Sequence, residues 1–389
     1  MYLRRCTLLK ILYIHQYFKT PREGGALRSY YIAKAMVQAG HIVEVITTHN
    51  EASYLRTTID GITVHYLPIA YHNSFHFAKR ILSFLRFFLQ SYRLATRIKC
   101  VDLNYVTSTP LTVGLTALRL KRKKNIDYVF EVRDLWPEAV VKIGAIRNKF
   151  VQRYLYRLEQ KIYTQSQKII TLSPGMFTYI QKVVPSKPLL LAPNMSSVET
   201  IQPTATRTPF TISYLGTLGK ANHVDYLLDI AELMLNSYPE VRFYIMGEGA
   251  QKVQLEERVK NDRLTNVTFL AASNQDAVKG LLAKTDATYT SFLKIPILET
   301  NSPNKFFDSL AAGKLTIVST NGWLRNLVEE NHCGFYHDPE NPYSFLEKIK
   351  PYIIDKGLLD KTQANARKLA ETKFSVNRIT EEILEFIAN

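Results

Sequence analysis

Twice along this chain an apolar, β-branched run gives way to a polar turn, an amphipathic stretch of helical spacing and another apolar run. In the first half, Lys10–Phe18 (KILYIHQYF) reads as a buried strand and Gly24-Gly25 as the turn. Leu27–Ala39 then reads as a helix ended by Gly40-His41, and Ile42–Thr47 as the next strand. Asp127–Val132 and Lys168–Leu172 extend the set. The order restarts at Phe210–Leu215, with Tyr226–Leu235 as helix and Val241–Met246 as strand; Val267–Leu270, Ala287–Tyr289 and Leu315–Val318 follow. Short apolar strands alternating with helices specify parallel sheets covered on both faces. Two successive sets in 389 residues predict two doubly wound α/β domains joined by the Pro/Thr/Ser-rich stretch Pro193–Pro209. The expected boundaries are 1–197 and 198–374, with a C-terminal helix of about 375–389 returning to the first domain. Ligands of such sheets bind outside the strand C-termini, so two such domains facing a central cleft would share one site.

Composition narrows the class. With 46% apolar and 22% charged residues, the chain has the balance of a packed globular protein. Cys6, Cys100 and Cys333 are far apart and lack metal-ligand spacing, which fits a reducing cytoplasm. Arg4 and Arg5 precede an apolar run, but Lys10 and His15 interrupt it and no small-residue cleavage site follows, so no signal peptide is expected. No uninterrupted apolar span is long enough to cross a bilayer. The net charge of +16 implies an anionic partner: nucleic acid, acidic lipid or a phosphorylated substrate. No recognised RNA- or DNA-binding motif accompanies it, so nucleic acid is set aside.

The stretch SPNKFFDSLAAGK (Ser302–Lys314), running into LTIVST, reads as loop, helix, turn at Gly313 and buried strand. Ser302, Pro303, Asn304 and Lys305 fall at the helix N-terminus, where free backbone N–H groups and the positive dipole end favour an anion. Asp308, one turn on, carries a carboxylate suited to a ribose diol. Ordinary capping is the competing reading of the same residues.

This segment resembles the donor-binding signature of retaining GT-B glycosyltransferases of the family 4-like type that builds bacterial O-antigen and capsule repeats, and the likeness extends over nearly the whole chain. That family has two acidic residues separated by seven, the second within the helix. Here the second is Asp308, where Glu is common. Counting back gives Thr300, and the nearest acid, Glu299, stands one residue early. The resemblance implies that the Ser302–Lys305 run takes over much of the phosphate and sugar contact.

Other loops fit the same frame. Gly24 and Gly25, with Arg28 just inside the following helix, allow close backbone approach to a diphosphate, and the family uses a Gly pair here. The corresponding loop of the second half is GTLGK, from Gly216 to Lys220. The family often has Arg or Asn where Thr217 stands and Lys where Lys220 stands, which implies that Lys220 stabilises the departing diphosphate. EVRDLWPE (Glu131–Glu138) concentrates charge at a strand end. Many relatives have His-Asp where this chain has Arg133-Asp134, so no His role transfers. Asp134 is expected to orient an acceptor hydroxyl and Arg133 to meet an acceptor phosphate, with an Arg133–Asp134 salt bridge as the alternative. MGEGA (Met246–Ala250) places Gly247 in a tight turn near the nucleotide and lacks the remainder of a dinucleotide fingerprint. Catalytic weight falls on Asp134, Lys220 and Lys305.

Phe75–Arg97 (FHFAKRILSFLRFFLQSYRLATR) has a broad apolar face, with Lys79, Arg86 and Arg93 recurring every seven residues on another face. It fits either an anionic membrane interface or a core-packing helix. The Lys121–Lys124 run (KRKK) adds four cations in the same half. No HExxH, clustered Cys/His or Asp-x-Asp is present, so a metal-independent enzyme without cofactor is expected. The resemblance implies a transferase moving a hexosyl or N-acetylaminosugar unit from a nucleoside diphosphate, expected to be UDP, with retention. Its acceptor would be a polyprenyl-diphosphate-linked saccharide, handled peripherally on the cytoplasmic side of the membrane. A sugar-nucleotide epimerase of the same fold is the alternative.

Overall fold

The computed structural model describes residues 8–72, 75–205, 208–271 and 274–389, so that Arg4, Arg5 and Cys6 lie outside it. Backbone contacts divide the chain into two units. The first holds the residues through Thr20, Ala26–Pro193 and Ile379–Asn389; the second holds Pro21–Gly25 and Asn194–Arg378.

The strands of the first unit are β1 (Lys10–Ile14), β2 (Ile42–His49), β3 (Leu55–Ile59), β4 (Ile62–Pro68), β5 (Leu103–Thr107), β6 (Asp127–Val132), β7 (Lys168–Thr171) and β8 (Leu189–Leu191). Its helices are α1 (Arg28–Gln38), α2 (Phe77–Ala95), α3 (Val113–Lys124), α4 (Glu138–Lys142), α5 (Lys149–Gln165) and α6 (Pro174–Val183). The sheet order is β3-β4-β2-β1-β5-β6-β7-β8, and every pairing is parallel except β3–β4. That hairpin turns on Asp60-Gly61, both at positive φ, as a tight two-residue hairpin turn requires.

The second unit has strands β9 (Thr211–Leu215), β10 (Arg242–Met246), β11 (Val267–Leu270), β12 (Ala287–Thr290), β13 (Leu315–Val318) and β14 (Gly334–Tyr336). Its helices are α7 (Asp225–Ser237), α8 (Lys252–Asn261), α9 (Gln275–Leu282), α10 (Asn304–Ala311), α11 (Trp323–Glu330), α12 (Tyr343–Ile354) and α13 (Lys356–Lys373). A last helix, α14 (Val376–Ala388), begins in this unit and continues into the first. The sheet is parallel throughout, in the order β11-β10-β9-β12-β13-β14. The centre of each sheet is apolar on both faces. Ile212, Phe243 and Ile245 pack under Leu227 and Leu228 of α7 on one side. On the other, Phe306, Phe307 and Leu310 of α10 meet Ala366, Leu369 and Phe374.

Pro193–Pro209 contains no helix or named strand among its described residues and is tied to the second unit. The Arg367 guanidinium donates to the carbonyls of Val198 (2.9 Å), Ile201 (2.8 Å) and Ala311 (2.6 Å). Ser196 Oγ donates to the Phe307 carbonyl at 2.8 Å.

The amphipathic stretch of the first half forms α2, and its apolar face is divided. Phe84, Phe87 and Phe88 are buried in the unit, whereas Leu82, Leu85 and Leu89 are exposed beside Arg86 and Arg93. Core packing therefore accounts for the aromatic side of the helix and leaves a leucine stripe in water. Arg119 of α3 stacks on the Phe88 ring at 4.3 Å and joins the two helices. Among the described residues no helix is long and apolar enough to cross a membrane.

Helices α3 and α5 approach closely because residue 114 is glycine. A Cβ there would stand 2.4 Å from Ile162 Cδ1, with two further Ile162 carbons within 2.9 Å. Gly114→Ala should therefore destabilise the chain by about 1–3 kcal/mol through overpacking, outweighing the ~0.5–1 kcal/mol that Ala gains inside a helix. Urea denaturation will measure it. In an Ile162→Ala background the same substitution should become neutral or stabilising; an equal penalty in both backgrounds would exclude the clash as the cause.

Candidate functional site: a cationic cradle at the head of α10

In the second unit, the C-terminal ends of β9 and β10 and the N-terminus of α10 bring the expected donor residues together. Gly216 follows β9 at φ +140°, a conformation that a side chain resists. Its amide donates to the Met246 carbonyl at 2.9 Å, and Leu218 N–H donates to the Glu248 carbonyl at 2.9 Å. A Cβ on Gly247 would lie 1.8 Å from the Gly216 oxygen, and one on Gly249 would lie 2.2 Å from the Leu218 oxygen. The glycines of the GEG turn thus let one loop backbone lie on another. Gly247 shapes the site by supporting the Gly216 loop.

Lys305, in the first turn of α10, reaches into this loop. Its Nζ donates to Tyr214 Oη at 2.8 Å, sits 4.0 Å above the Tyr214 ring and lies 3.5 Å from Asn222 Oδ1. A Cβ on Gly216 would be 3.5 Å from Nζ, so the glycine leaves the ammonium uncovered on that side. Tyr214 Oη in turn donates to the Thr217 carbonyl at 2.9 Å, tying the lysine's seat to the loop. Desolvation pushes the Lys305 ammonium down to about 7. Lys220 stands on the adjoining 3-10 turn, Lys220–Asn222, with its side chain exposed.

No side chain caps α10, so its first N–H groups are left without an internal partner. Asn304 opens the helix and Pro303 precedes it. Asn194 fixes the approach: its N–H donates to Ser302 Oγ at 3.3 Å and its Nδ2 to the Ser302 carbonyl at 2.5 Å. Asp308, one turn in from Lys305, is partly buried, and no hydrogen bond or ion pair reaches its carboxylate among the described residues. Desolvation pushes that carboxyl up to about 7. The upstream positions differ from Asp308. Thr300 Oγ1 turns back to the Ile297 carbonyl at 2.7 Å, while Glu299 sits against Gly322.

Gly24 and Gly25, at φ +70° and +87°, group with this second unit, and Gly24 lies against the Asn274 backbone at the start of α9. Arg28 departs from the donor role given to it. It is buried in the first unit, where Nε donates to Glu131 Oε2 at 3.0 Å and Nη1 to the Pro193 carbonyl at 2.5 Å. The cause is the Glu131 carboxylate inside β6, which also accepts from Tyr105 Oη at 2.8 Å and pairs with no other cation among the described residues. A guanidinium locked into a dry ion pair braces the sheet.

The first unit gathers a second group at its own strand ends. Asp134 accepts from Thr109 Oγ1 at 2.7 Å, and Arg133 N–H donates to Ser108 Oγ at 3.0 Å. No Arg133–Asp134 ion pair forms among the described residues. The surrounding protein pushes the Asp134 carboxyl upward by desolvation although the side chain reaches water; the Thr109 hydroxyl and the Arg133 guanidinium pull it back. His15, just past β1, is buried with Nδ1 2.9 Å from Ser29 Oγ, and desolvation with the Arg133 charge holds it neutral. Tyr214, Asn194, Thr109 and His15 were not singled out from the sequence. Only their position, each at or just past a strand end, could have drawn attention to them. Among the described residues no group of three His, Cys, Asp or Glu is placed to hold a metal ion.

Two α/β units built on largely parallel sheets, with glycine loops and polar side chains at their strand ends, have the GT-B architecture, and comparison with known proteins agrees. Residues 23–195 match the family described as Glycosyl transferase 4-like domain, and residues 199–369 match Glycosyl transferases group 1. The chain belongs to this group 1, 4-like family of glycosyltransferases. It is 23% identical, over 98% of its own length and 99% of the other protein, to the GalNAc-alpha-(1->4)-GalNAc-alpha-(1->3)-diNAcBac-PP-undecaprenol alpha-1,4-N-acetyl-D-galactosaminyltransferase of Campylobacter jejuni. Sucrose-phosphate synthase from Thermosynechococcus elongatus superposes with a TM-score of 0.80 at 14% identity, covering 97% of this chain and 98% of that one. HepE of Anabaena, in complex with UDP-glucose, superposes with a TM-score of 0.70 at 17% identity, covering 98% and 99%. At these identities the two structures establish the fold.

The cradle should weaken the fold that carries it. The Asp308 carboxyl is raised to about 7 in the folded chain, against ~3.9 for an unfolded Asp. The ionised form is therefore disfavoured by folding; the cost is present in full above about pH 7 and vanishes below about pH 4, where both states hold the proton. Asp308→Asn should raise stability at about pH 8 by the order of 1 kcal/mol, short of the full value for a dry carboxylate because water reaches the side chain. Urea midpoints compared at about pH 8 and pH 4 will check it, with the gain expected only at the higher pH.

Proposed function

We propose that this glycosyltransferase moves a sugar, with retention, from a UDP-sugar to a polyprenyl-diphosphate-linked saccharide during assembly of a surface polysaccharide such as O-antigen or capsule. The observation that carries this reading is the placement on α10 of a desolvated lysine facing the Gly216 loop and, one turn on, a carboxylate that no described residue hydrogen-bonds. Lys305, Lys220 and the free amides at Asn304 would meet the two phosphates, with the Gly24-Gly25 backbone beside α9. Asp308 would hold the ribose hydroxyls. A bound UDP-glucose in HepE and a lipid-linked acceptor in the name of the Campylobacter enzyme are in keeping with this assignment.

The reaction would be a same-face displacement. The bond from the sugar anomeric carbon to the phosphate oxygen breaks while the acceptor oxygen bonds on the same face. The acceptor proton passes to the departing phosphate oxygen, and Lys220 and Lys305 stabilise the charge that grows there. Asp134, held by Thr109, would orient the acceptor hydroxyl, and Arg133 would meet the acceptor diphosphate. The chain would work peripherally on the cytoplasmic face of the membrane.

Asp308→Asn should weaken UDP binding by roughly 1.5–3 kcal/mol, the value of a charge-assisted hydrogen bond, while the variant stays folded. Calorimetric titration of variant and parent measures this, and equal affinity would leave Asp308 without a ribose role. Lys220→Ala and Lys305→Ala should each lower turnover by about 10²-fold or more, with little change in melting temperature, because their charges act most on the transition state.

No metal ligand set enters this scheme. Turnover is accordingly expected to persist in EDTA; a complete loss restored by magnesium or manganese would show that a cation, and not the lysines alone, neutralises the diphosphate.

A further inference from the structure

Helix α5 carries a surface that neither the core nor the strand-end groups use. Phe150 is 78% exposed and Tyr154 is 63% exposed, one helical turn apart, with Val151 and Ile143 exposed next to them. Isolated apolar side chains on a surface are unremarkable, but two large aromatics with two aliphatic neighbours form a patch that water penalises. Cations surround it. Lys149, Arg153 and Arg157 follow one line of the helix and, with Gln152, Tyr156 and Gln160, line a groove of about 440 Å³. Between Lys142 and Lys161 the chain has six Lys or Arg, and its one acid, Glu159, is buried. The patch is held firmly: Asn148 caps α5 by accepting from Phe150 N–H (2.9 Å) and Val151 N–H (3.2 Å), and Gln152 ties back to the Ile146 carbonyl at 2.7 Å.

We propose that Ile143–Arg157 is a docking face for the surface of an anionic lipid bilayer, with Phe150 and Tyr154 entering the boundary between headgroups and acyl chains and Lys149, Arg153 and Arg157 meeting lipid phosphates. Rigid aromatic rings belong at that boundary, and flanking cations supply the attraction to acidic lipid. The topology gives the contact a purpose. In a parallel β-α-β crossover the helix starts at the C-terminal edge of the sheet, so the Phe150 end of α5 lies on the side where β6 delivers Arg133 and Asp134. A bilayer held there would present a lipid-linked acceptor at the edge that carries them. The inference rests on the proposed lipid-linked acceptor and names the element that brings the enzyme to it.

The test is co-sedimentation of the full chain with vesicles of phosphatidylethanolamine and phosphatidylglycerol, and with pure phosphatidylcholine vesicles, at low and high salt. Phe150→Ser/Tyr154→Ser should lower the bound fraction on anionic vesicles about tenfold or more with an unchanged melting temperature, since both rings are already in water. Arg153→Gln/Arg157→Gln should lose as much at low salt and little further at high salt. In parallel, Tyr154→Trp should shift its emission to the blue when anionic vesicles are added. Parent-like binding by the serine double variant overturns the proposal, as does equal binding of the parent to phosphatidylcholine. If only Lys79→Gln/Arg86→Gln/Arg93→Gln fails to bind, the contact belongs to α2: the α5 proposal falls and the membrane reading stands. A parent that ignores every vesicle sinks both.

Discussion

The cradle at the head of α10 depends on two backbones lying on each other where no side chain intervenes. Gly216–Leu218 crosses Gly247–Gly249 so closely that a methyl group on either glycine of the second stretch would collide with a carbonyl oxygen. That contact fixes the Gly216 loop, and the loop carbonyl of Thr217 fixes Tyr214 Oη. Tyr214 then seats the Lys305 ammonium. The cation is thus positioned by hydrogen bonds in series that begin with an absence of Cβ atoms. Each link is a neutral group, so no counter-charge within the chain offsets the burial that lowers the Lys305 ammonium to about 7, and an anion bound beside it would favour the charged form. Preorganisation of this kind is what electrostatic stabilisation of a leaving group requires.

The first unit handles a cation in the opposite way. Arg28 has a carboxylate, a backbone carbonyl and almost no water around it. Its Nη2 is buried with no acceptor, a cost the neighbouring ion pair has to offset. Removing one partner of such a pair commonly costs about 3–5 kcal/mol, because the other charge is left dry. Here the interaction spans β6 and the start of α1, so it stabilises the edge on which Asp134 and His15 stand. Arg28 and Lys305 look alike in the sequence: each is a cation in the first turn of a helix that follows a polar loop. What separates them is the company kept by the far end of the side chain, Glu131 in one case and a tyrosine ring in the other.

That difference marks the limit of what the sequence discloses. Asp127–Val132 has the bounds expected from the sequence, because a central parallel strand buried along nearly its whole length stands out as an apolar run; the edge strand Val267–Leu270, only partly buried, matches as well. The β3–β4 hairpin was passed over even though Asp60-Gly61 is a strong turn signal, since its strands are short and β3 is largely exposed. Ser302, Lys305 and Asp308 could be placed on one helix terminus from spacing alone. The partner of Arg28 could not, lying 103 residues away in a strand. Helical periodicity likewise identifies an apolar face without saying what covers it. Phe84 and Phe88 of α2 are covered by their unit, while Phe150 and Tyr154 of α5, with the same periodicity, are not.

The +16 charge divides on the same physical ground. A cation that the fold consumes shows its partner. Lys168 donates to the carbonyls of Phe386 and Ile387 near the C-terminus; Lys121 meets Asp127 and the Gln165 carbonyl; Arg258 gathers Asp225, Asp229 and Asp262. A cation paired with a carboxylate, as Lys121 and Arg258 are, has little net field left to attract a ligand, and one donating to carbonyls, as Lys168 does, has its donors occupied. Lys220, beside the Gly216 loop, and Arg153 with Arg157, on α5, are different: no acid or carbonyl is brought to them among the described residues. Unpaired cations repel one another and are relieved by a bound anion, and two of these positions coincide with the contacts proposed above. Lys220 stands by the loop proposed to hold a diphosphate, whereas Arg153 and Arg157 lie on a helix face with exposed aromatic rings among its cations. Net charge reports that anions are wanted, and the distribution of unpaired charge separates a small phosphorylated ligand from an extended acidic surface.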